Sequence, residues 1–342
     1  MPNNSTKTLL SITLVIGILI SVSSNSWFGA WMGLEINLMS FIPMMLTHNN
    51  VYTTEASMKY FIVQALASST LLFMMLMSSL SESIFSLEKN TFMSITIMTP
   101  LMMKSGVAPL HWWFPSVMEG LSWNNCILLM TVQKVAPLML ISYQMNINLI
   151  SATFILASVV MGSIGGFNQT SLRKIMTYSS INHTGWMLAA MLVSESLWII
   201  YITIYSMLTT TVVMIIKPFN ISFINQVMMI NEKMKLMKFM MFMSLLSLGG
   251  LPPFLGFLPK WMVIQFMMLN NMSFMITIMV IMSIVTLYYY LRMCYSSFMI
   301  LHNEVKWGKK TFMSNKKNAY SMIMASMSTL GLVLCTTIFN IS

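Results

Sequence analysis

The sequence contains no aspartate, and its 342 residues carry only eight glutamates against eighteen lysines and arginines. Charged residues make up 8% of the chain, where soluble domains carry roughly a quarter, so a water-soluble fold is excluded. Three cysteines, Cys126, Cys294 and Cys335, stand far apart with no Cys-x-x-Cys, and four histidines are scattered. Neither set has the spacing of a metal site or a disulfide framework. Gly-x-Gly-x-x-Gly and Walker loops are absent, which excludes a nucleotide or NADH site in this chain. The longest polar stretch runs only over about 298–319, so no separate soluble domain is expected.

What is present in abundance is apolar. The chain is 57% hydrophobic, with mean hydropathy +0.76, the composition of an integral membrane protein. Methionine occurs 43 times. Soft, adaptable packing is one reading of that excess. Translation under a mitochondrial code with an enlarged methionine codon set is the preferred one. No Arg-rich amphipathic leader or cleavage site precedes the first apolar run, as expected of a protein made inside the organelle.

Spanning a bilayer takes about 20 apolar residues. Eleven segments qualify: 7–24, 26–46, 57–80, 92–117, 123–143, 148–167, 174–193, 195–216, 238–269, 272–297 and 320–340. Gly162 and Gly166 form a small-xxx-small pair suited to close helix packing. An odd count places the termini on opposite sides, and the loops then sort by charge. One side carries Lys7, Arg173, Lys174, Lys233, Lys235, Lys238, Arg292, Lys306, Lys309, Lys310, Lys316 and Lys317. The other carries Glu82, Glu88 and Glu195 against Lys89. The positive-inside rule puts the N-terminus in the matrix or cytoplasm and the C-terminus opposite. The net charge of +10 is therefore a topology signal, and nucleic acid is not an expected partner.

The stretch Thr99–Pro115 breaks the apolar pattern with Lys104, Gly106, His111 and three prolines. Broken helices survive in lipid only where protein or a hydrated cavity satisfies the freed backbone. The same punctuation returns: Gly106-x-x-Pro109-x5-Pro115 is matched 144 positions later by Gly250-x-x-Pro253-x5-Pro259, followed by Lys260. Corresponding interrupted segments in two halves point to a transporter-type repeat. The expected fold is an all-α polytopic membrane protein of about eleven helices. Residues 1–146 form a first five-helix repeat and 147–298 a second, inverted because each holds an odd number. The fourth helix of each is broken, and a loop with a last helix occupies 299–342.

Glu35, Lys104, Lys134 and Lys260 fall at membrane depth, each costing about 2.5–3.5 kcal/mol if unpaired. Burial favours the neutral amine and a nearby carboxylate favours the ammonium, so a moving partner switches a lysine between holding and releasing a proton. A relay through Glu35, Lys104, Lys134 and Lys260 is the expected chemistry, with Pro137 loosening the helix beside Lys134. His111 is a possible further member, as likely to serve packing. The bland alternative is that the charges are paired ions holding helices together. Lys7, Lys59 and Lys217 read as snorkelling side chains. Glu119 caps the broken helix, His48 and His302 lie in loops, and His183 either extends the path or is simply hydrogen-bonded.

The motifs Asn25-Ser-Trp-Phe-Gly-Ala-Trp-Met-Gly-Leu-Glu-Ile-Asn, Lys104-Ser-Gly-Val-Ala-Pro-Leu-His-Trp-Trp-Phe-Pro, Gln133-Lys-Val-Ala-Pro, Asn168-Gln-Thr-Ser-Leu-Arg-Lys, Ser180-Ile-Asn-His-Thr-Gly-Trp and Leu248-Gly-Gly-Leu-Pro-Pro-Phe-Leu-Gly-Phe-Leu-Pro-Lys-Trp run through the chain in order. Together they resemble the subunit 2 family of mitochondrial NADH:ubiquinone oxidoreductase, one of the antiporter-like subunits of respiratory complex I. The resemblance implies that Glu35, Lys104, Lys134 and Lys260 form a buried polar axis. Relative to bacterial members the chain looks shortened by three N-terminal helices. It further implies proton translocation in the mitochondrial inner membrane, coupled to electron transfer from NADH to ubiquinone elsewhere. FMN, iron–sulfur clusters, NADH and ubiquinone would belong to the parent complex, with no redox site in this chain. Partners would be other membrane-arm and accessory subunits and phospholipids such as cardiolipin. A cation/proton exchanger of an antiporter complex, or a scaffold needed for assembly, are the alternatives.

Overall fold

A computed structural model describes residues 4–46, 50–82, 89–228, 235–299, 326 and 331. Among these the chain is helical, and its only β-type pairing is one isolated antiparallel bridge between Ser171 and Phe223. The helices in order are α1 Asn4–Ser23, α2 Trp27–Met45, α3 Val51–Glu82, α4 Lys89–Ser105, α5 Trp113–Gly120, α6 Trp123–Met130, α7 Val132–Ser142, α8 Leu149–Phe167, α9 Leu172–Val193, α10 Glu195–Ile216, α11 Ile224–Met228, α12 Lys235–Gly249, α13 Phe257–Leu269 and α14 Ser273–Met299. A 3₁₀ turn, Lys217–Phe219, follows α10.

Six stretches among the described residues are both long and apolar enough to cross a bilayer: Ser5–Ser23, Val51–Ser79, Trp123–Ser142, Leu149–Phe167, Glu195–Phe219 and Ser273–Tyr295. That is fewer than the eleven expected from the sequence. The shortfall falls where chemistry interrupts the apolar runs. α9 carries Arg173, Lys174 and His183, and α12 and α13 are separate pieces of 15 and 13 residues. The span expected over 320–340 lies outside the described residues apart from Ser326 and Gly331. So do the loop histidines His48 and His302.

Local chemistry explains most boundaries. Ser26 caps α2 by accepting from the Gly29 amide at 3.2 Å, and Ser194 caps α10 by accepting from Leu197 at 3.4 Å. α3 begins at Val51, six residues before the apolar run suggested. Asn50 accepts from the Tyr52 amide at 3.2 Å and so starts the helix in a polar turn. The segment expected as one helix over 123–143 is interrupted at Thr131, whose φ of −113° and ψ of −74° separate α6 from α7. Its hydroxyl turns back to the Ile127 carbonyl at 2.7 Å. The break therefore lies three residues before Lys134, while Pro137 sits inside α7.

The chain forms two compact units, residues 1–158 and 159–342. In the first, α1 packs along α2, α3 along α2, α4 and α5, and α7 is held by α1, α2, α4 and α6. α1 and α2 approach backbone to backbone: a Cβ at Gly33 would lie 2.5 Å from the Ser21 nitrogen. In the second unit α10 packs against α9, α12 and α13, and α14 against α11, α12 and α13. The small-residue pair is split there. Gly162 meets the backbone of Asn182, whereas Gly166 meets the ring of Tyr289 and the Cβ of Tyr178.

Candidate functional site

The end of α4 is built by Gly106. Its φ of +74° lets its amide reach the Met103 carbonyl at 3.2 Å while the Val107 amide reaches Met102 at 3.1 Å. This pair of bonds is the Schellman closure, which a glycine adopts without Cβ strain. Two side chains add donors to the last turn. Trp113 Nε1 donates to the Met103 carbonyl at 3.1 Å, and Gln64 Nε2 donates to the Lys104 carbonyl at 3.3 Å. These four bonds all come from within the protein, as a lipid environment demands.

The end of α12 repeats the device. Gly250, at φ +83°, donates to Ser247 at 3.0 Å and Leu251 donates to Leu246 at 3.5 Å. Thus the glycine matched 144 positions apart in sequence is, in both places, the left-handed residue that stops a helix. The lysines do not share this symmetry. Lys104 lies in the last turn of α4, before its break, whereas Lys260 lies in the first turn of α13, after its break.

In the first unit Lys104 and Lys134 meet one cavity, lined also by Leu34, Asn37, Tyr60, Gln64, Phe114 and Gln133. The centre of a water molecule has ≈ 20 Å³ within it. One water needs roughly 10–15 Å³ and two to four polar partners, and this lining supplies both. Lys104 is 7% exposed and its Nζ makes no hydrogen bond among the described residues. Lys134 is 3% exposed, and its Nζ stands 4.7 Å from the centroid of the Phe114 ring, within cation–π range. Glu35 is half-buried on α2. It makes no direct ion pair with Lys104. α2 presents Leu34, Asn37 and Leu38 to the cavity, and Glu35 is not part of the lining.

His111 is buried within the break itself, its Nδ1 3.3 Å from the Pro109 carbonyl and its ring stacked on Trp112 at 5.2 Å. It does not line the cavity. Glu119 is exposed near the end of α5. Lys59, expected to snorkel, pairs with Glu55 at 2.6 Å one turn away, and both side chains are about half exposed.

In the second unit Lys260 is 5% exposed and its Nζ donates to the Gly249 carbonyl at 2.8 Å. That carbonyl is at the C-terminus of α12, where a cation complements the helix dipole. The ammonium also stands over the Trp186 ring, 5.9 Å from its centroid. One turn earlier on α9, His183 Nδ1 meets the Tyr201 hydroxyl at 2.9 Å and its ring lies 5.1 Å from that of Tyr205. Tyr205, Tyr289 and Tyr290 have buried hydroxyls, and Tyr290 packs against Gly249. The sequence reading missed this tyrosine cluster and the amides of the first cavity. Asn37 and Gln133 stood within the motifs that carried the resemblance, so the signal was adjacent but neutral and easily passed over.

Two broken helices, each closed by a left-handed glycine and each holding a buried lysine in an apolar polytopic chain, define a helical membrane protein of the ion-transporter type. The chain belongs to the NADH:quinone oxidoreductase/Mrp antiporter transmembrane family, whose pattern matches residues 24–286; the NADH dehydrogenase subunit 2 C-terminus pattern matches residues 287–339. Similar proteins include NADH-ubiquinone oxidoreductase chain 2 of Anopheles gambiae, 48% identical over 96% of this chain and 97% of the relative. That of Locusta migratoria is 44% identical over 99% and 98%. The fold is similar to that of a chain in respiratory complex I from Thermus thermophilus, with TM-score 0.81, 21% identity and coverage of 98% of this chain and 80% of that one. It is also similar to a chain of the Mrp complex from a Dietzia species, at TM-score 0.74 and 17% identity over 90% and 62%.

Proposed function

We propose that this chain is a core membrane-arm subunit of NADH:ubiquinone oxidoreductase that contributes to proton translocation across the mitochondrial inner membrane. The single observation that carries the proton chemistry is the cavity in which Lys104 and Lys134 meet. The family and the full-length relatives carry the assignment to the complex. Electron transfer from NADH to ubiquinone, with FMN and iron–sulfur clusters, belongs to other subunits of that complex. In this reading a lysine ammonium gives a proton to water in the cavity, and the neutral amine later takes one up from the other side. Glu35, on α2, is the carboxylate partner whose movement switches Lys104 between holding and releasing its proton. His111 holds the loop of the break and serves as an accessory relay group.

The same reading arranges the chain as eleven spans. Two inverted five-helix repeats occupy 1–146 and 147–298, and residues 299–342 add a loop and a last helix. The N-terminus then faces the matrix, and the basic loops there suit anionic lipid such as cardiolipin. Other membrane-arm and accessory subunits are its protein partners.

The test is Lys134→Arg. Arginine keeps the charge but practically never deprotonates. Assembly at the wild-type level with NADH-driven proton translocation reduced by about 10²-fold or more is expected, the scale of a lost acid–base group. Translocation at the wild-type rate would make the lysine a structural cation. One observation favours a second reading at Lys260 alone. Its bond to the Gly249 carbonyl makes it a helix cap, so there a structural role accompanies any proton role.

A further inference from the structure

Neutral polar side chains line the first cavity beside the lysines, and three of them, Asn37, Tyr60 and Gln133, are joined to one another. Gln133 Nε2 on α7 donates to Asn37 Oδ1 on α2 at 2.9 Å. The Tyr60 hydroxyl on α3 points at Gln133 Oε1 from 3.5 Å, and Gln64, one turn further along α3, donates to the carbonyl of Lys104. Asn37 is 3% and Tyr60 3% exposed, and Gln133 between them is half-buried. Donors run in one direction, from Tyr60 to Gln133 to Asn37. An amide stripped of its partner in such surroundings is costly, so the pair holds itself together.

The position of this bond matters because of the interruption at Thr131. Gln133 and Lys134 sit in the first turn of α7, which does not continue the hydrogen-bond ladder of α6. The direction of that turn has to be set from elsewhere, and the Asn37–Gln133 bond supplies a tie to α2. Asn37 is two residues from Glu35. Amides do not titrate, so the tie keeps its strength whichever lysine holds the proton.

We propose that the Asn37–Gln133 amide pair is a positioning device that ties the helix of Glu35 to the helix of Lys134 and sets the width of the cavity shared by Lys104 and Lys134. This rests on the proton-relay reading above. The pair touches no transferred proton itself.

The experiment compares assembled complexes carrying Gln133→Met, Asn37→Leu, both together, and the reciprocal swap Asn37→Gln with Gln133→Asn. Methionine and leucine keep the volume and remove the bond. NADH-driven proton translocation per assembled complex is expected to fall about fivefold in each single variant, the worth of roughly one hydrogen bond. The double variant should fall no further, because coupled residues do not add. The swap restores an amide pair of the same total length and should return to within about twofold of wild type. Wild-type translocation in Gln133→Met overturns the proposal. So does loss of assembly in that variant cured by the swap, which would make the pair a structural tie only. Lys134→Arg, measured alongside, separates the two ideas. If it pumps normally the relay reading fails; if it is blocked while Gln133→Met pumps normally, only the positioning device fails.

Discussion

Lys104 and Lys260 have the same residue type, comparable burial and a neighbouring helix break, yet they make different bonds. Lys260 spends one donor on a helix-terminal carbonyl, whereas the Lys104 ammonium faces a cavity without a hydrogen bond among the described residues. Replacing each by methionine should therefore separate them. Lys104→Met removes a buried charge that makes no hydrogen bond to the described residues, so assembly is expected to survive while translocation is lost. Lys260→Met leaves the Gly249 carbonyl without its donor, a penalty of about 1–3 kcal/mol. The amount of intact complex on native gels and its thermal midpoint should fall for Lys260→Met and hold for Lys104→Met. Equal loss in both would show that the Gly249 bond does not stabilise the second break. The bond itself was not legible in the chain, because Gly249 and Lys260 are eleven positions apart and only the turn between them brings them together.

At the level of elements, the repeated Gly-x-x-Pro punctuation is a repeated helix ending. Gly106→Ala forces a Cβ into left-handed backbone, at a cost of about 1–2 kcal/mol, but only into ordinary van der Waals contact with Phe114 and Trp113 at 3.5 Å. Gly250→Ala carries the same backbone penalty and also places its Cβ 3.0 Å from Lys260 Cδ and 3.1 Å from Nζ. The second substitution should lower the thermal midpoint of the complex more than the first and also disturb the Lys260–Gly249 bond. A scan of the two purified variants checks the order; a larger drop for Gly106→Ala would contradict it. Both breaks were legible in sequence because glycine and proline punctuate locally. The interruption at Thr131 was not. Val-Gln-Lys-Val after Thr131 carries no breaker, and Pro137, the visible breaker, sits inside α7 with the helix continuing through it.

For the whole molecule, the loop charges predict which side of the membrane each end faces. With the basic loops in the matrix, the segment from Glu82 to Lys89 faces the intermembrane space. Cys126 and Cys294 are buried and will react slowly, so a Phe85→Cys, Cys335→Ser variant gives a reporter thiol at a known place. Intact mitoplasts should admit a membrane-impermeant maleimide to residue 85 from outside. Labelling only after the inner membrane is opened would reverse the topology and end the eleven-span count with it.

Membrane residence, the helical class and both helix breaks were determined by the sequence alone, which also singled out Glu35, Lys104, Lys134 and Lys260 as candidates. In lipid, a charge, a proline or a glycine inside an apolar run is costly enough to stand out wherever it occurs. Which of these residues meet was decided only by the tertiary structure. α4 and α7 bring Lys104 and Lys134 to one cavity, while α2 turns Asn37 toward it and leaves Glu35 outside the lining. His111, although it sits in the most conspicuous motif of the chain, is folded against its own loop. Composition records what is expensive to bury, but the direction of each side chain follows from helix rotation and from neutral amide, hydroxyl and backbone bonds that leave little trace in hydropathy or charge.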